Sequence, residues 1–454
     1  GQYESDNGAV VSTRNQYQDR HVIWENEVCS DKTFRNTMQA IAYVDIKFLK
    51  DFTFSVKGDL NLRNSENQGY NSAQIGDGKG NGGRASRNNY RYKNYTFQQL
   101  LNWNHAFGDH TVGVLVGHEN YSYMYSYLYG YKTTQVFEGE SAMINFKNIT
   151  SLYDYENNYR TESYLARVRY NYKEKYNLEA SFRRDGSSRF HKDNRWGNFW
   201  SAGGAWVISK EDFFDVDWID MLKFKASIGS QGNDNIGSYR YADTYSIVNN
   251  NNEVAYQWNQ KGTKDITWET NTNFNAGIEF AFLNSRITGG IEYFNRMTTD
   301  MLFPTPVAPS QGYTSLYKNV GDMNNYGVEG DFHFNIVNSK NVQWDFNLNA
   351  SYLKNTVVSL ADNVKDSEAY DAQGNTHQGF TSGSFFIAEG SSMYTWYTYD
   401  YAGVDPQTGK SLWWKNTLDE EGKVTGRETT DDYSKATKYL TGKTTLAPLF
   451  GGFG

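Results

Sequence analysis

Apolar and polar side chains alternate with a period of two between Ser163 and Asp185. This period is typical of a β-strand, in which successive side chains point to opposite faces. The polar segment Lys173-Glu174-Lys175 interrupts the alternation, which then resumes. Two strands joined this tightly are expected to be antiparallel neighbours in a hairpin. One face of the hairpin carries Tyr, Val, Leu and Phe without a charge, whereas the other carries Arg167, Arg169 and Glu179.

The same period recurs along most of the chain and predicts about fourteen strands. The clearest of them cover residues 39–48, 52–62, 95–107, 112–116, 164–172, 176–183, 200–208, 222–229, 271–282, 326–336 and 342–350. The polar segments 1–38, 63–89, 120–160, 186–195 and 230–267 are predicted to be loops. Connections of a few residues therefore alternate with connections of a few tens of residues.

Two fold classes fit strands with one charge-free face. In a soluble sandwich that face is the core, whereas in a transmembrane barrel it meets lipid. A sandwich gives no reason for the long loops to keep to one end, but membrane barrels combine short turns at one end with long loops at the other. A one-residue slip of register would also place Arg167 and Arg169 in hydrocarbon, at ~2–4 kcal/mol each near the midplane. The pattern therefore predicts an all-β fold, an antiparallel transmembrane β-barrel.

Composition agrees with this fold and narrows the function classes. The 454 residues include 36 Tyr, 27 Phe and 12 Trp, which suits a barrel with an apolar outer layer and no thick core. The net charge of −8 argues against a nucleic-acid surface. Cys29 is the single cysteine, so no internal disulfide is predicted. No apolar run of about 18 residues predicts a transmembrane helix. No signal peptide follows Gly1, and we expect the beginning of an exported protein to be missing.

No set of residues predicts catalysis, a metal site or a cofactor. Gly78, Gly80 and Gly83 match a dinucleotide-binding pattern but lack the strand and helix that this motif requires on either side. His333 falls on the polar face of a predicted strand, where a lumen residue is expected rather than a metal ligand. The acidic segments 405–409 and 419–422 lack the alternating acids of a calcium loop and are interpreted as turns.

The segment from Tyr121 to Tyr131 carries a tyrosine at every second position. Two interpretations are open for it. An aromatic girdle at the membrane interface is favoured, and a surface on which sugars stack is the alternative.

Five stretches between about residue 160 and the end of the chain carry recognisable motifs in a fixed order. The first is R-R-D-G-S-S-R-F at 183–190, followed by N-R-W-G at 194–197. The others are K-A-S-I-G-S-Q-G-N-D-N-I-G at 225–237, T-W-E-T-N-T-N-F-N-A-G-I-E-F at 267–280, T-D-M-L at 299–302 with N-V-G at 319–321, and Y-A-G-V-D-P-Q-T-G at 401–409. In this order they resemble the SusC/RagA family of TonB-linked outer-membrane proteins.

This resemblance implies a 22-stranded barrel in a Gram-negative outer membrane, with an N-terminal plug in its lumen. It further implies energised import through TonB, a SusD-like surface lipoprotein that closes over the extracellular loops, and allows a dimer of transporter–lipoprotein pairs. About fourteen strands cannot close a barrel of that size. Residues 1–454 are therefore interpreted as part of the barrel domain, with the plug, the TonB box and the closing C-terminal strands expected outside this sequence.

The expected function is import of oligomeric nutrients, with oligosaccharides favoured and oligopeptides as the alternative. A secreted β-rich carbohydrate-binding or adhesin module is the alternative from another class, and an enzyme is not expected. The candidate substrate-binding residues are Arg183, Arg184, Asp185, Arg189, Trp258 and Trp396. For the charged residues of this set, bracing of a loop by Arg–Asp pairs is at least as well supported by the sequence as contact with a ligand.

Overall fold

The structure is a computed structural model that describes residues 21–454 except 252, 308, 314, 366, 422 and 423. One short helix and 25 strands are found in this part of the chain. Their bounds are α1 Val22–Val28, β1 Ser30–Phe48, β2 Phe52–Asn71, β3 Arg84–Phe107, β4 His110–Gln135, β5 Phe146–Tyr172, β6 Tyr176–Ser187, β7 Trp196–Val207, β8 Ile219–Asn233, β9 Thr244–Asn250, β10 Glu253–Gln260, β11 Glu269–Phe282, β12 Ile287–Thr299, β13 Leu302–Pro306, β14 Ser315–Asn319, β15 Gly321–Asn338, β16 Gln343–Leu360, β17 Ser367–Asp371, β18 Thr376–Ser382, β19 Phe385–Ala388, β20 Thr395–Tyr399, β21 Tyr401–Val404, β22 Ser411–Leu418, β23 Val424–Thr430, β24 Lys438–Thr444 and β25 Leu449–Phe453. Short 3-10 helices cover Gly76–Asn81, Met143–Asn145, Ile208–Lys210, Pro309–Gln311, Asp362–Val364 and Tyr433–Lys435.

The chain divides into two compact units. Unit 1 comprises Gly1–Phe48, Thr53–Leu101 and Gly117–Ser163, and unit 2 comprises Leu49–Phe52, Asn102–Val116 and Tyr164–Gly454. In unit 1, β1 to β5 are hydrogen-bonded neighbours in chain order. A small core of Tyr70, Ala85 and Phe146 lies at their loop ends.

In unit 2 the main sheet has the strand order β6-β7-β8-β11-β12-β15-β16-β25. The neighbouring strands of this sheet from β6 onward are paired antiparallel. The last strand, β25, pairs with β16. Two of the connections contain a short hairpin of their own, β9 with β10 and β13 with β14.

The charge-free face of the predicted hairpin is exposed rather than covered by a second sheet. Val168, Leu178 and Phe182 are 47%, 56% and 48% exposed. An apolar face of this extent is stable in water only when something covers it, and lipid covers it in a membrane barrel. This exposure favours the barrel over the sandwich.

Tight turns join the strands where the sequence predicts them. Lys173 and Glu174 have φ values of 51° and 55°, and Leu283, Asn284 and Ser285 are also left-handed. A positive φ at successive turn residues matches the twist of the strands in a hairpin. The predicted short turns at 49–51, 108–109 and 173–175 are therefore confirmed.

Three of the predicted loops are wrong in part. The prediction of a loop over 1–38 fails from residue 22 onward, where α1 and β1 lie, and residues 1–20 fall outside the described part of the chain. The segments 63–89 and 120–160 are mostly strand, because β2 to β5 continue far beyond the predicted ends. Strands β3, β4 and β5 have 24, 26 and 27 residues, whereas about 9–11 cross a bilayer. The extra residues lack the apolar face by which the sequence identified the strands.

Residues 361–448, between β16 and β25, form a second structure within unit 2. Strands β17, β18, β19, β20 and β24 close a small barrel, and β21, β22 and β23 form a separate sheet. The buried side chains of Ala369, Phe386, Ala388 and Leu440 fill the small barrel. The sequence pattern indicated neither element, because their strands are four to eight residues long.

Among the described residues, every helix is too short or too polar to span a bilayer.

Candidate ligand-facing surfaces

The arginines and the aspartate of the 183–190 motif bond within the protein. The Arg183 Nε donates to Asp185 Oδ1 at 2.7 Å. The guanidinium of Arg184 lies 5.2 Å from the ring centre of Trp196. Arg189 Nη1 donates to the carbonyl and to the carboxylate of Asp234, at 3.1 Å each. The motif at the end of β6 is thus tied to Asp234, directly after β8.

Apolar residues in the motifs or directly beside them pack into one cluster next to these pairs. The cluster consists of Phe190, Phe199, Ile236, Ile266 and Trp268. Phe190 is fully buried, and its ring centre lies 5.4 Å from that of Trp268. The indole N–H of Trp268 donates to the Arg195 carbonyl at 2.9 Å. Residues of three sequence-distant motifs, 183–190, 225–237 and 267–280, thus meet here.

The two candidate tryptophans lie on other elements. Trp258 is on β10, 41% exposed, with its ring 5.3 Å from Tyr245 of β9. Trp396 is on β20 of the small barrel, 37% exposed, with its ring 4.9 Å from Phe385. The six candidate residues therefore do not form one cluster: four belong to the motif at the end of β6, and each tryptophan lies on a separate sheet.

A continuous aromatic surface, here called the tyrosine wall, covers one face of β3, β4 and β5 in unit 1. Its members are Tyr90, Tyr92, Tyr121, Tyr123, Tyr125, Tyr127, Tyr129, Tyr131, Tyr153, Tyr155 and Tyr159. Along β4 the ring centres of Tyr125, Tyr127 and Tyr129 are 6.5 and 6.3 Å apart. The tyrosines of β3 and β5 approach this row to between 4.9 and 5.9 Å. The side chains of this surface are half-buried or exposed.

The tyrosine wall lies on the polar face of unit 1. The guanidinium of Arg63 is 3.9 Å from the ring centre of Tyr92. Arg63 shares its side of β2 with Ser55 and Asp59, which bond to Asp45 and Gln39 of β1. The charge-free side of these two strands carries Val44 and Phe54 instead. The favoured interpretation of Tyr121 to Tyr131 as a lipid-facing girdle is therefore wrong, because these rings lie opposite the apolar face.

Hydrogen bonds fix one edge of the tyrosine wall. The Tyr127 hydroxyl donates to Asn88 Oδ1 at 2.7 Å, and the Asn88 amide donates to Asn67 Oδ1 at 3.0 Å. Asn67 donates in turn to Thr33 Oγ1 at 3.1 Å. This chain of amides crosses four strands and holds polar groups beside the aromatic rings.

An ion network occupies the polar face of unit 2. Lys223 and Lys225 contact Glu279 at 3.0 and 3.1 Å, and Lys225 contacts Glu292 at 2.9 Å. Glu329 and Asp331 line the same cavity, which has a volume of about 350 Å³. The register places Glu292 directly opposite Glu329. His333 also lies on this face, 2.7 Å from Asn347 Oδ1, as a lumen residue was predicted to do.

The acidic segments have turn geometry. Asp405 accepts hydrogen bonds from Gln407 N at 2.8 Å and from Thr408 Oγ1 at 2.6 Å, and these bonds lower its pKa. The Glu421 N–H donates to Asp419 Oδ1 at 3.1 Å, while residues 422 and 423 fall outside the described chain. Among the described residues no group of three or more His, Cys, Asp or Glu is placed to hold a metal ion.

Comparisons with known proteins agree with these features. The model of the family "TonB dependent receptor-like, beta-barrel" matches residues 1–447. TonB-dependent receptor P39 of Formosa agariphila is 29% identical over 390 residues, which are 84% of this chain and 36% of that protein. TonB-dependent receptor SusC of Bacteroides thetaiotaomicron is 32% identical over 248 residues, which are 50% of this chain and 24% of that protein.

Among solved structures, the RagAB peptide importer in its closed-closed state has the same fold. The TM-score is 0.85 at 22% identity, over 99% of this chain and 49% of that one. The chain thus spans about half the length of that structure and little more than a third of the curated relative P39. From the family match and the two-faced strands together, we conclude that the chain belongs to the TonB-dependent receptor β-barrel family, whose members are outer-membrane transporters rather than enzymes.

Proposed function

We propose that the protein containing this chain imports oligomeric nutrients across the outer membrane in a TonB-dependent process. This proposal rests on the different character of the two strand faces in a member of this receptor family. One strand face is apolar and exposed, as lipid requires, while the other carries the ion network and the amide chain. A polar inner face of this kind lets a hydrated ligand pass without contact with hydrocarbon.

Oligosaccharides are the proposed substrate class. The polar face carries flat aromatic rings beside amides, and these two kinds of group together complement the C–H faces and the hydroxyl rims of sugars. Oligopeptides are the second candidate, because the RagAB structures of the same fold are named as peptide importers. At 22% identity that likeness concerns the fold.

The proposed partners are TonB, outer-membrane lipid and a SusD-like surface lipoprotein that covers the loop ends. A dimer of transporter–lipoprotein pairs is a further proposal. The relatives support these partners through the SusC name and the RagAB fold. The candidates Arg183, Arg184, Asp185 and Arg189 are proposed to act mainly as braces, given their intramolecular contacts. Trp258 and Trp396 remain proposed ligand contacts.

Uptake by cells tests the proposed function. Cells that produce the intact protein should accumulate labelled oligosaccharides, and a proton uncoupler should abolish the accumulation. Affinity purification from outer membranes should also recover a surface lipoprotein. Uptake that survives both uncoupling and deletion of the tonB gene would exclude energised import. Uptake of peptides alone would leave the transport class standing and overturn the oligosaccharide assignment.

A further inference from the structure

The tyrosine wall has no role in the fold that would explain its size. The buried core of unit 1 is formed by Tyr70, Ala85 and Phe146, outside the wall. Tyr153 and Tyr155 are 50% and 49% exposed although each lies within 6 Å of a neighbouring ring. A large aromatic surface of a protein that faces solvent in this way commonly marks a binding site.

We propose that the tyrosine wall is a binding surface for neutral oligosaccharides, on which successive pyranose units stack along β4. This inference rests on the proposed function and assigns a place and a charge class to its substrate. The C–H groups of a pyranose ring carry partial positive charge, which the π-face of a phenol ring attracts. The row formed by Tyr125, Tyr127 and Tyr129 repeats this face along the strand with interplanar angles of 9° and 11°.

The hydrogen-bonding groups beside the rings suit the rim of a sugar. Hydroxyl groups around a pyranose both donate and accept, as amides and phenols do. Asn88 and Asn67 hold such groups at the edge of the wall, next to Tyr127. Arg63 presents further N–H donors, and its guanidinium carbon lies 3.9 Å from the ring centre of Tyr92.

The wall favours a neutral ligand over an anionic one. Phenols are uncharged near neutral pH, since their ordinary pKa is about 10. The central row, Tyr125, Tyr127 and Tyr129, would remove water from a carboxylate or sulfate without returning a compensating charge, since Arg63 lies at Tyr92, outside this row. A ligand chain of uncharged sugars pays no such cost.

The wall also favours a sugar chain over a peptide. Extended peptides are commonly bound by main-chain hydrogen bonds to an unpaired strand edge. The strands β3 and β4, which carry eight of the wall's tyrosines, each have a hydrogen-bonded neighbour on both sides. Their backbone groups are therefore already used, and the wall offers its ligand side chains only.

Binding to the purified intact protein in detergent tests the wall. The probes are maltohexaose, cellohexaose and xylohexaose as neutral chains, hexagalacturonate as an anionic chain and a tryptic digest of casein as a peptide mixture. At least one neutral hexasaccharide should bind, and the variant Y125A/Y127A should bind it roughly tenfold more weakly, as expected from the loss of two stacked rings. Hexagalacturonate and the peptides should bind no more tightly to the wild type than to this variant.

Matched variants separate stacking from folding. The variant Y125F/Y127F keeps both rings and should retain most of the affinity. Tyr256→Ala removes an equally large ring that is 73% exposed on β10, outside the wall, and should leave binding unchanged. Thermal unfolding of each variant checks that the barrel is intact.

Three results would overturn the inference: binding of none of the neutral chains, equal affinity of Y125A/Y127A and wild type, or a loss in Y125F/Y127F as large as in the alanine variant. Cells separate this failure from that of the proposed function. Unchanged oligosaccharide uptake by Y125A/Y127A would refute the wall and leave transport standing, whereas absence of oligosaccharide uptake by the wild type would refute the substrate class.

Discussion

Single residues of the family motifs act here chiefly as packing and bracing groups. Gly197 and Gly232 illustrate this, because the Phe199 ring fills the space above both glycines. A Cβ at Gly232 would lie 2.1 Å from Phe199 Cζ. The ring is 7% exposed within the cluster that contains Trp268, so it has little room to move away. Position 232 of the motif therefore requires glycine, because the Phe199 ring leaves no space for a Cβ.

Gly232→Ala should destabilise the protein by about 1–3 kcal/mol, the usual cost of overpacking a core. Thermal unfolding in detergent measures this loss. Gly58→Ala is the matched control, because a Cβ at Gly58 meets nothing within 4 Å, and it should have little effect. The double variant G232A/F199L should recover part of the loss if the clash is with Phe199. Equal stability of G232A and wild type would contradict the packing argument.

Asp371 at the end of β17 stabilises the small barrel in its charged form. Burial alone would raise its pKa, but hydrogen bonds from Asn375, from His377 and from the Gln373 N–H lower it to about 2. The ordinary value is 3.8, so the folded state has the lower pKa. The contribution is therefore present above about pH 4 and is lost as the pH falls toward 2.

Asp371→Asn should lower stability at pH 7 by about 1–2 kcal/mol through weakened hydrogen bonds. The difference from wild type should shrink at pH 2.5, where the wild-type carboxyl group also begins to take up a proton. Tryptophan fluorescence during thermal unfolding at both pH values measures this. Asp362→Asn, at a fully exposed carboxylate, serves as the control. A difference between Asp371→Asn and wild type that is as large at pH 2.5 as at pH 7 would exclude the proposed role of the charge.

At the scale of elements, Arg427 is one of the side chains that connect the small sheet to the small barrel. Arg427 of β23 lies between the rings of Trp414 on β22 and Tyr439 on β24, 4.6 and 4.5 Å from their centres. Its two Nη atoms donate to the Asp400 carboxylate at 2.7 Å and to the Ala372 carbonyl at 3.1 Å. A planar guanidinium can make all of these contacts at once, whereas an ammonium group cannot.

Arg427→Lys should therefore loosen β21 to β23 without unfolding the main sheet. We expect limited proteolysis to cleave between residues 401 and 430 more rapidly than in wild type, while the rest of the chain stays resistant. Lys415→Ala is the control, since it removes the Lys415–Glu428 pair within the same sheet and such surface pairs contribute little. Equal cleavage rates for R427K and K415A would contradict this role.

At the scale of the whole molecule, the two faces of the strands decide where the protein resides. Phe182 and Glu179 lie three residues apart on β6, on its apolar and polar faces. Phe182→Lys places a charge on the face toward lipid, at ~2–4 kcal/mol near the midplane. Glu179→Lys places the same side chain on the polar face, where water is available.

The expected result is a marked loss of F182K, but not of E179K, from the outer-membrane fraction. Membrane fractionation with immunodetection measures both variants beside the wild type. Correct assembly of F182K at wild-type level would show that this face does not meet hydrocarbon. Loss of both variants would indicate that any added lysine on β6 prevents folding.

The two-residue period by itself determined the charge-free stretches of β1 to β8, β11, β15 and β16, and the tight turns between them. It did so because lipid requires every second residue to be uncharged, and this alternation can be read directly from the sequence. The ordered motifs likewise indicated the receptor family, which the family match confirms.

Only the tertiary structure decided which face the tyrosines of β4 occupy and how far β2 to β5 extend. Outside the membrane, no lipid requires one strand face to be apolar, so the two faces have similar residue types. The backbone hydrogen bonds that hold such a strand in the sheet cannot be recognised from its sequence. Which face of the sheet the tyrosines occupy depends on the register between β4 and its neighbouring strands. The contact of Arg63 with Tyr92 shows that they lie on the polar face. The same holds for Arg183 and Arg189: their residue types suggested ligand contact or bracing, and distances to Asp185 and Asp234 favour bracing.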